Sequence, residues 1–502
     1  MLETGSGKTM YVGAPLIVKM DVATDRKNFM QRKWKIMSAT EKMSRATVIK
    51  WILTVILPAS LLLIPTNEVF TSEIRTFLVI TFAGILVLAF DFFDSMVPAV
   101  LIPIFYLAFH VAPAATIYGG WTGTTPMMVF GALLLAAIMD QTGLLERIAY
   151  FVIIKTGGSY RGVGWGIYIA GVISALITSC NSWVVYAVIV AGIIKGLGLG
   201  KSKEACGLIA IAGTSVLGQY GWMYAPANVA LFSSGLLEAD PSIVITWTSA
   251  WINNLPAIFS GFVFTAIVLY VLMPKVDLQA KDVFIEKYHE MGKVSRDEKV
   301  TIVIFVGMLL YLVTFNFHQL APEWAFLFVP WIFFLPGINL ADGETLKKMN
   351  YSLLFLIVCF LGIGNTASYL GISQLVSNIL TPYLSGVTEM AGGNMIMTAI
   401  IYIVGFLLNF ILTPFAIYGA FTQPLAQLAA DLGFNPLFIQ YTLVTAGDSL
   451  LLPYESVGYL LYFSLGFCYM KDWIKIFGIK CIILFLWAVF ICTPYWSLIG
   501  VM

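Results

Sequence analysis

Cys180, Asn181 and Ser182 stand together inside an otherwise apolar run, "TSCNSWVVYAVIV" (Thr178 to Val190), although their types begin helices more readily than they continue them. Their hydroxyl and amide groups can hold an anion's oxygens or ligate a hard cation; the Cys180 thiol suits a hard cation poorly. A second such start lies in "ILTPFAIYGAFTQP" (Ile411 to Pro424), where Thr413 suits the N-cap and Pro414 a first turn that needs no amide donor. Two carboxylates, Asp448 and Glu455, fall seven residues apart in another apolar stretch. They share one helix face if no break intervenes. Anion binding, cation binding and proton exchange are the chemistries open to these groups.

The elements that position them are read from composition. The chain has 502 residues, 59% hydrophobic and 11% charged, with a mean hydropathy of +0.89. A water-soluble surface needs far more charge. Apolar runs at Trp51 to Ile64, Phe77 to Phe90, Trp251 to Met273, Thr301 to Thr314 and Cys481 to Thr493, with their flanks, approach the length that crosses a bilayer. An all-α polytopic membrane protein of about ten to twelve spans is expected. A net charge of +1 and three scattered histidines point to neither a nucleic-acid surface nor a histidine metal cluster. All six cysteines lie in or beside apolar segments without metal-ligand spacing and read as small core residues. No secretory signal is expected before the first span, since the first 50 residues of this sequence are polar and basic. That basic segment and the lysine-rich stretch Lys275 to Lys299 are expected in the cytoplasm, and the acidic "LLEADPS" (Leu236 to Ser242) outside. An inner-membrane protein with a cytoplasmic N-terminus and an odd number of crossings follows.

The chain divides into a tail at 1–50, a first membrane half at 51–274, a linker at 275–299 and a second half at 300–502. The halves are internally similar. "NVALFSSGL" (Asn228 to Leu236) matches "YLLYFSLGF" (Tyr459 to Phe467), an offset of 463 − 232 = 231 that sets Cys180, Asn181 and Ser182 on Ile411, Leu412 and Thr413. A polar helix start at membrane depth is tolerated only where irregular backbone is buried in protein or lines a cavity. Re-entrant hairpins are therefore expected at 162–197 and 395–432. Each precedes a broken helix, marked by Gly218, Gly221 and Pro226 in one half and Pro453 and Gly458 in the other. Such breaks expose amide donors at helix N-terminal ends and carbonyls at C-terminal ends.

These residues resemble the divalent anion/sodium symporter family, the INDY-like carboxylate transporters. That family carries a Ser-Asn-Thr motif at each hairpin tip and an unwound Gly-Thr-Pro-Pro-Asn-like segment after it. Here the first motif reads Cys180-Asn181-Ser182 and the first unwound segment Tyr224-Ala225-Pro226-Ala227-Asn228; "QTGLLERIAYFVI" (Gln141 to Ile153) and "YMKDWIKIFGIK" (Tyr469 to Lys480) are also family-like. The resemblance implies a homodimeric secondary transporter with inverted repeats and an elevator movement. Its small anion would bind among Asn181, Ser182 and Thr413, near Ala225, Pro226 and Ser456. By the resemblance Ser179, Cys180, Asn181 and Asn228 would serve ion coupling; Thr445, Asp448 and Glu455 are added for their place in or beside the second broken helix, with sodium or a proton as the coupling ion and no other cofactor or metal. The second motif departs from the pattern: Ile411 and Leu412 replace Ser and Asn, and Tyr459 stands where the family has Asn. Exchange of di- or tricarboxylates, or proton-linked transport, is thus expected over symport through two sodium sites, with sodium-coupled dicarboxylate symport as the alternative. Glu455 is assigned a proton or a single cation, or a partner role toward a zwitterionic or cationic ligand.

"ETGSGKT" (Glu3 to Thr9) looks like a phosphate-binding loop but lacks both the preceding strand and the first glycine, Leu2 standing in its place. "TAGD" (Thr445 to Asp448) falls one glycine short of an intramembrane aspartyl protease motif, so an enzyme is not expected. A channel would also use hairpins and breaks. Asp91 and Asp94 read as loop residues, and Asp140 and Glu146 as flanking an interfacial helix. No intramembrane Arg or Lys is expected to clamp an anion.

Overall fold

In a computed structural model the described residues are 45–502, apart from 91, 222, 274–280, 319, 322, 389 and 411. The expectations on Glu3 to Thr9, the basic tail, Asp91, Ile411 and the first linker residues lie outside them. Contacts separate a unit ending at Val55 from a unit of Ile56–Met502. In the first, only the start of helix α1 (Arg45–Ser60) is described.

The described residues form helices and no strand. Beyond α1 the principal ones are α2 (Ser72–Ala89), α3 (Met96–Ala108), α4 (Thr125–Gln141), α5 (Leu144–Thr156), α6 (Tyr160–Ile177), α7 (Trp183–Gly196), α8 (Lys203–Val216) and α9 (Pro226–Ala239). There follow α10 (Leu255–Leu272), α11 (Lys281–Glu290), α12 (Arg296–Val313), α13 (Glu323–Ile332) and α14 (Tyr351–Tyr369). The last are α15 (Ile372–Thr388), α16 (Gly393–Asn409), α17 (Pro414–Asp431), α18 (Leu437–Gly447) and α19 (Val457–Ser464), and α20 (Met470–Leu498).

Four of these are long and apolar enough to cross a bilayer, five if α4 and α5, bent by 65° at Gly143, count as one. The expected ten to twelve spans are therefore not ten to twelve long helices. Six further apolar helices run only 10–17 residues. Breaks at glycine and proline cut the apolar runs into pieces, and Pro103 and Pro330 lie inside short helices. Large apolar side chains such as Val303, Phe328 and Val271 are two-thirds exposed, as on a lipid-facing surface. The protein is an integral membrane protein.

The linker is a docked element rather than a bare connection. Its helix α11 packs on α5, with Phe284 buried. Arg147 of α5 reaches the start of α12, its Nε 2.5 Å from Glu298 Oε1. The same guanidinium donates to the carbonyls of Gly292 and Met291. Glu298 also closes a capping box with Ser295, so one carboxylate fixes both a helix start and a neighbouring helix.

One buried core runs through most of the helices, from Ile74 to Val501. α9 of the first half packs against α17 of the second, and α19 of the second against α7 and α8 of the first. At Gly235 a Cβ would come within 2.9 Å of the Gln423 backbone. Only glycine allows α9 and α17 to approach so closely.

Candidate functional site

Helix α6 ends at Ile177 and α7 begins at Trp183, joined by a turn in which Ser179 and Cys180 take φ of +50° and +68°. Left-handed backbone is costly for residues with a Cβ. The Asn181 amide offsets part of that cost by donating to the carbonyls of Thr178 and Ser179 at 3.3 and 3.2 Å. Cys180 is buried, its Sγ 3.9 Å from Met223 Sδ. Ser182 is the N-cap of α7 without a side-chain capping bond, and its buried Oγ has no hydrogen-bond partner.

The second turn, between α16 and α17, ends at Thr413. It occupies the N-cap of α17 and Pro414 the first turn, as the sequence suggests, but the Thr413 hydroxyl makes no capping bond. The residue lines a cavity. The first break separates α8 from α9, with a short 3-10 turn at Gly218–Gly221 and Ala225 and Pro226 at the head of α9. The second separates α18 from α19, with a 3-10 turn at Pro453–Glu455 and Ser456 as an N-cap lacking a side-chain bond.

The N-terminal ends of α7, α9, α17 and α19 meet at one cavity of about 170 Å³. Its wall includes Trp183 of α7, Asn228 of α9, Thr413, Pro414 and Phe415 at the head of α17, and Ser456, Val457 and Gly458 at the head of α19. The opposite side is formed by Leu88 of α2, Phe93 and Ser95 before α3, and Asn350, Leu353 and Leu356 around the start of α14. Asn228 is 2% exposed, and neither its Nδ2 nor its Oδ1 has a hydrogen-bond partner. A buried amide with nothing to bond is costly and marks a place for a ligand or water. Unfilled first-turn amides and the positive ends of helix dipoles favour an anion.

The anticipated site residues thus divide. Asn228, Thr413, Ser456 and Asp448 line this cavity; Asn181, Ser182, Ala225, Pro226, Cys180, Thr445 and Glu455 are not among its lining residues. Ser179 borders a separate small cavity with Met223 and Tyr224. The Thr445 hydroxyl bonds back along its helix to Tyr441 O at 2.8 Å. Asp448 and Glu455 do not share a helix face, because α18 ends at Gly447. Glu455 turns back on its own loop, accepting from the amides of Leu451 and Leu452 at 3.0 and 2.9 Å. Asp94 sits in the α2–α3 loop, where it accepts from the Met96 amide and Ser352 Oγ. Asp140 and Glu146 are exposed near the α4–α5 bend.

One charged residue went unread in the sequence. Lys480 of α20 is 1% exposed, and its Nζ lies 2.7 Å from Asp448 Oδ1. It also donates to Asp448 O at 3.1 Å and to the Tyr459 hydroxyl at 2.6 Å. That hydroxyl donates on to Asp448 Oδ1 at 2.9 Å. A buried lysine does exist, then, but it is engaged by a carboxylate. The available signal was a lysine followed directly by "CIILFLW", since ionisable groups in apolar helices are rare and usually functional. Its place at the end of a basic, family-like stretch hid it.

The sodium:sulfate symporter transmembrane region matches residues 45–502 of the chain. No curated protein matches it. Among solved structures the fold is similar to that of the YdaH transporter of Alcanivorax borkumensis, whose crystal structure was described as revealing an unusual topology. That similarity has a TM-score of 0.54 and 16% identity, over 77% of this chain and 88% of that one.

Proposed function

The chain belongs to the sodium:sulfate symporter family, and from that premise we propose that it carries small divalent anions, di- or tricarboxylates or related species, through the cavity at Asn228. That it is a membrane transporter of anions and not an enzyme follows from the family; the substrate and the coupling are the proposal. The observation that carries it is the convergence of the starts of α7, α9, α17 and α19, three of them with N-cap hydroxyls left uncapped, on one cavity beside an unpartnered buried amide. Its volume of about 170 Å³ suits a small ligand, well below the roughly 300–1,000 Å³ of drug-sized sites.

The two helix–turn–helix segments are hairpins that enter and leave the membrane on one side, and the halves are inverted repeats. The constant sequence offset and the parallel order of turns and breaks support this. The crossed packing of α9 on α17 and α19 on α7 and α8 favours movement of the hairpins and broken helices as one body against α2, α3 and α14, an elevator movement. The basic N-terminal segment favours a cytoplasmic N-terminus in the inner membrane, and the family resemblance a homodimer. Exchange or proton-linked transport fits the loss of Ser and Asn at Ile411 and Leu412; the family's sodium:sulfate description favours sodium-coupled symport as the second reading.

Purified protein should gain thermal stability from one or more of sulfate, succinate, malate, 2-oxoglutarate and citrate, because a ligand bound only by the folded state stabilises it. The same anion should show saturable counterflow in liposomes. No stabilisation and no counterflow with any of them would reject the substrate class. Counterflow that persists without sodium separates exchange from obligatory sodium symport.

A further inference from the structure

The C-terminal end of α18 is a cation seat that is already full. Carbonyls at a helix C-terminus carry partial negative charge and lack intrahelical partners. Here the carbonyl of Asp448, its carboxylate Oδ1 and the Tyr459 hydroxyl converge on one point, an all-oxygen set of the kind a hard cation takes. The Lys480 Nζ occupies that point, at 3.1, 2.7 and 2.6 Å from the three oxygens. Three ammonium hydrogens meet three acceptors. The Tyr459 and Phe477 rings lie beside the ammonium, with centroids at 4.8 and 5.7 Å.

The neighbouring carbonyls are also taken. Asn409 Nδ2 donates to Ala446 O at 2.7 Å, and Ser449 Oγ to Thr445 O at 3.0 Å. A small cavity of about 10 Å³ borders Asp448 and Lys480, room for about one water. In the first half the sequence offset sets Leu217 against Asp448 and Asn228 against Tyr459, and Thr214 O is met by the uncharged Gln219 amide at 3.0 Å. The corresponding first-half residues thus bring no charged side chain of their own, and Thr214, Gly218 and Gln219 share the small cavity with Asp448 and Lys480.

Resting on the transport reading above, we propose that the Lys480 ammonium stands in for a coupling sodium ion in the second half, so that this half binds no sodium during transport. Lys480 is a positioning residue: it holds Asp448, Tyr459 and the end of α18 in the arrangement that a bound cation would otherwise impose.

The test empties the seat. Lys480→Ala keeps all three oxygens, and its melting temperature is followed as sodium chloride replaces N-methylglucamine chloride at fixed ionic strength, with no other anion present. A saturable sodium-dependent rise larger than that of wild type and of Lys480→Ala/Asp448→Asn is the expected result. A response in Lys480→Ala no larger than in wild type, or one equal in the double variant, overturns the proposal and leaves an ordinary salt bridge. If Lys480→Ala does not fold, wild-type uptake decides: a Hill coefficient for sodium of one or less supports the proposal, and one clearly above one refutes it. Melting needs no transported substrate, so failure of the transport reading would show separately, as absence of counterflow in wild type.

Discussion

The two halves reach the same central cavity with the same succession of parts, a helix–turn–helix segment and then a broken helix, but they finish those parts differently. In the first half, polar groups are left open: Ser182 Oγ and the whole Asn228 amide are buried without partners. In the second, the charged groups beside the break are spent on their neighbours, although buried neutral groups such as the Tyr462 hydroxyl stay without partners there too. Lys480 holds Asp448 and Tyr459, Glu455 holds two amides of its own loop, and Asn409 holds a carbonyl at the end of α18. The charges that stand out in the sequence are therefore the ones already satisfied. Capacity to bind lies with neutral groups that the fold desolvates and does not pair.

The largest effect should come from breaking the self-satisfied half. Lys480→Met leaves the Asp448 carboxylate buried without its cation, a change that costs about 3–5 kcal/mol. Denaturation in detergent should show it, and Asp448→Leu in the same chain should restore most of the loss, because a buried pair replaced by apolar groups is often neutral. The first half should behave in the opposite way. Asn228→Ala removes a group with no partner, so stability should hold, while affinity for the transported anion falls by about 1.5–3 kcal/mol, roughly 10- to 150-fold in Kd. Isothermal titration alongside melting curves separates the two.

Thr413→Val should be milder, about 1 kcal/mol or roughly fivefold in Kd. It should also spare stability, since the hydroxyl caps nothing; a loss within the 0.5–2 kcal/mol usual for a cap would show that it does. Labelling sharpens this comparison. A cysteine at Thr413 should be protected from a small thiol reagent by the anion, and one at Ser182, outside the cavity wall, should not. Smallest is Glu455→Gln, which keeps one acceptor oxygen for two amides and should cost about 1 kcal/mol, with the anion's Kd unchanged. A shift in Kd would return Glu455 to the binding site.

Much of the framework was legible because it rests on local chemistry. The helix starts at Trp183 and Pro414, and the breaks after Val216 and Gly447, fall where Ser182, Thr413, Gly218 and Pro453 indicate, since capping and helix breaking depend on near neighbours. The partners of charged residues were not legible. Lys480 and Asp448 are 32 residues apart in different helices, and Arg147 and Glu298 are 151 apart. No periodicity encodes such pairs. The split between Thr413 and Ser182 was also hidden, because position at an N-cap does not say which residues border a cavity. Asn228 was named for its place in a motif; its lack of partners emerges only from packing.

The Arg147 clamp has a consequence in time. Its three acceptors, on Met291, Gly292 and Glu298, lie 144 to 151 residues further along the chain. At about 5–20 residues per second of synthesis, α5 waits on the order of 8–30 s on the ribosome before the groups that will enclose its guanidinium exist. Throughout that interval the first half must tolerate an arginine held in water or by headgroups. Completion of the linker is then the moment at which this face of the nascent protein can shut.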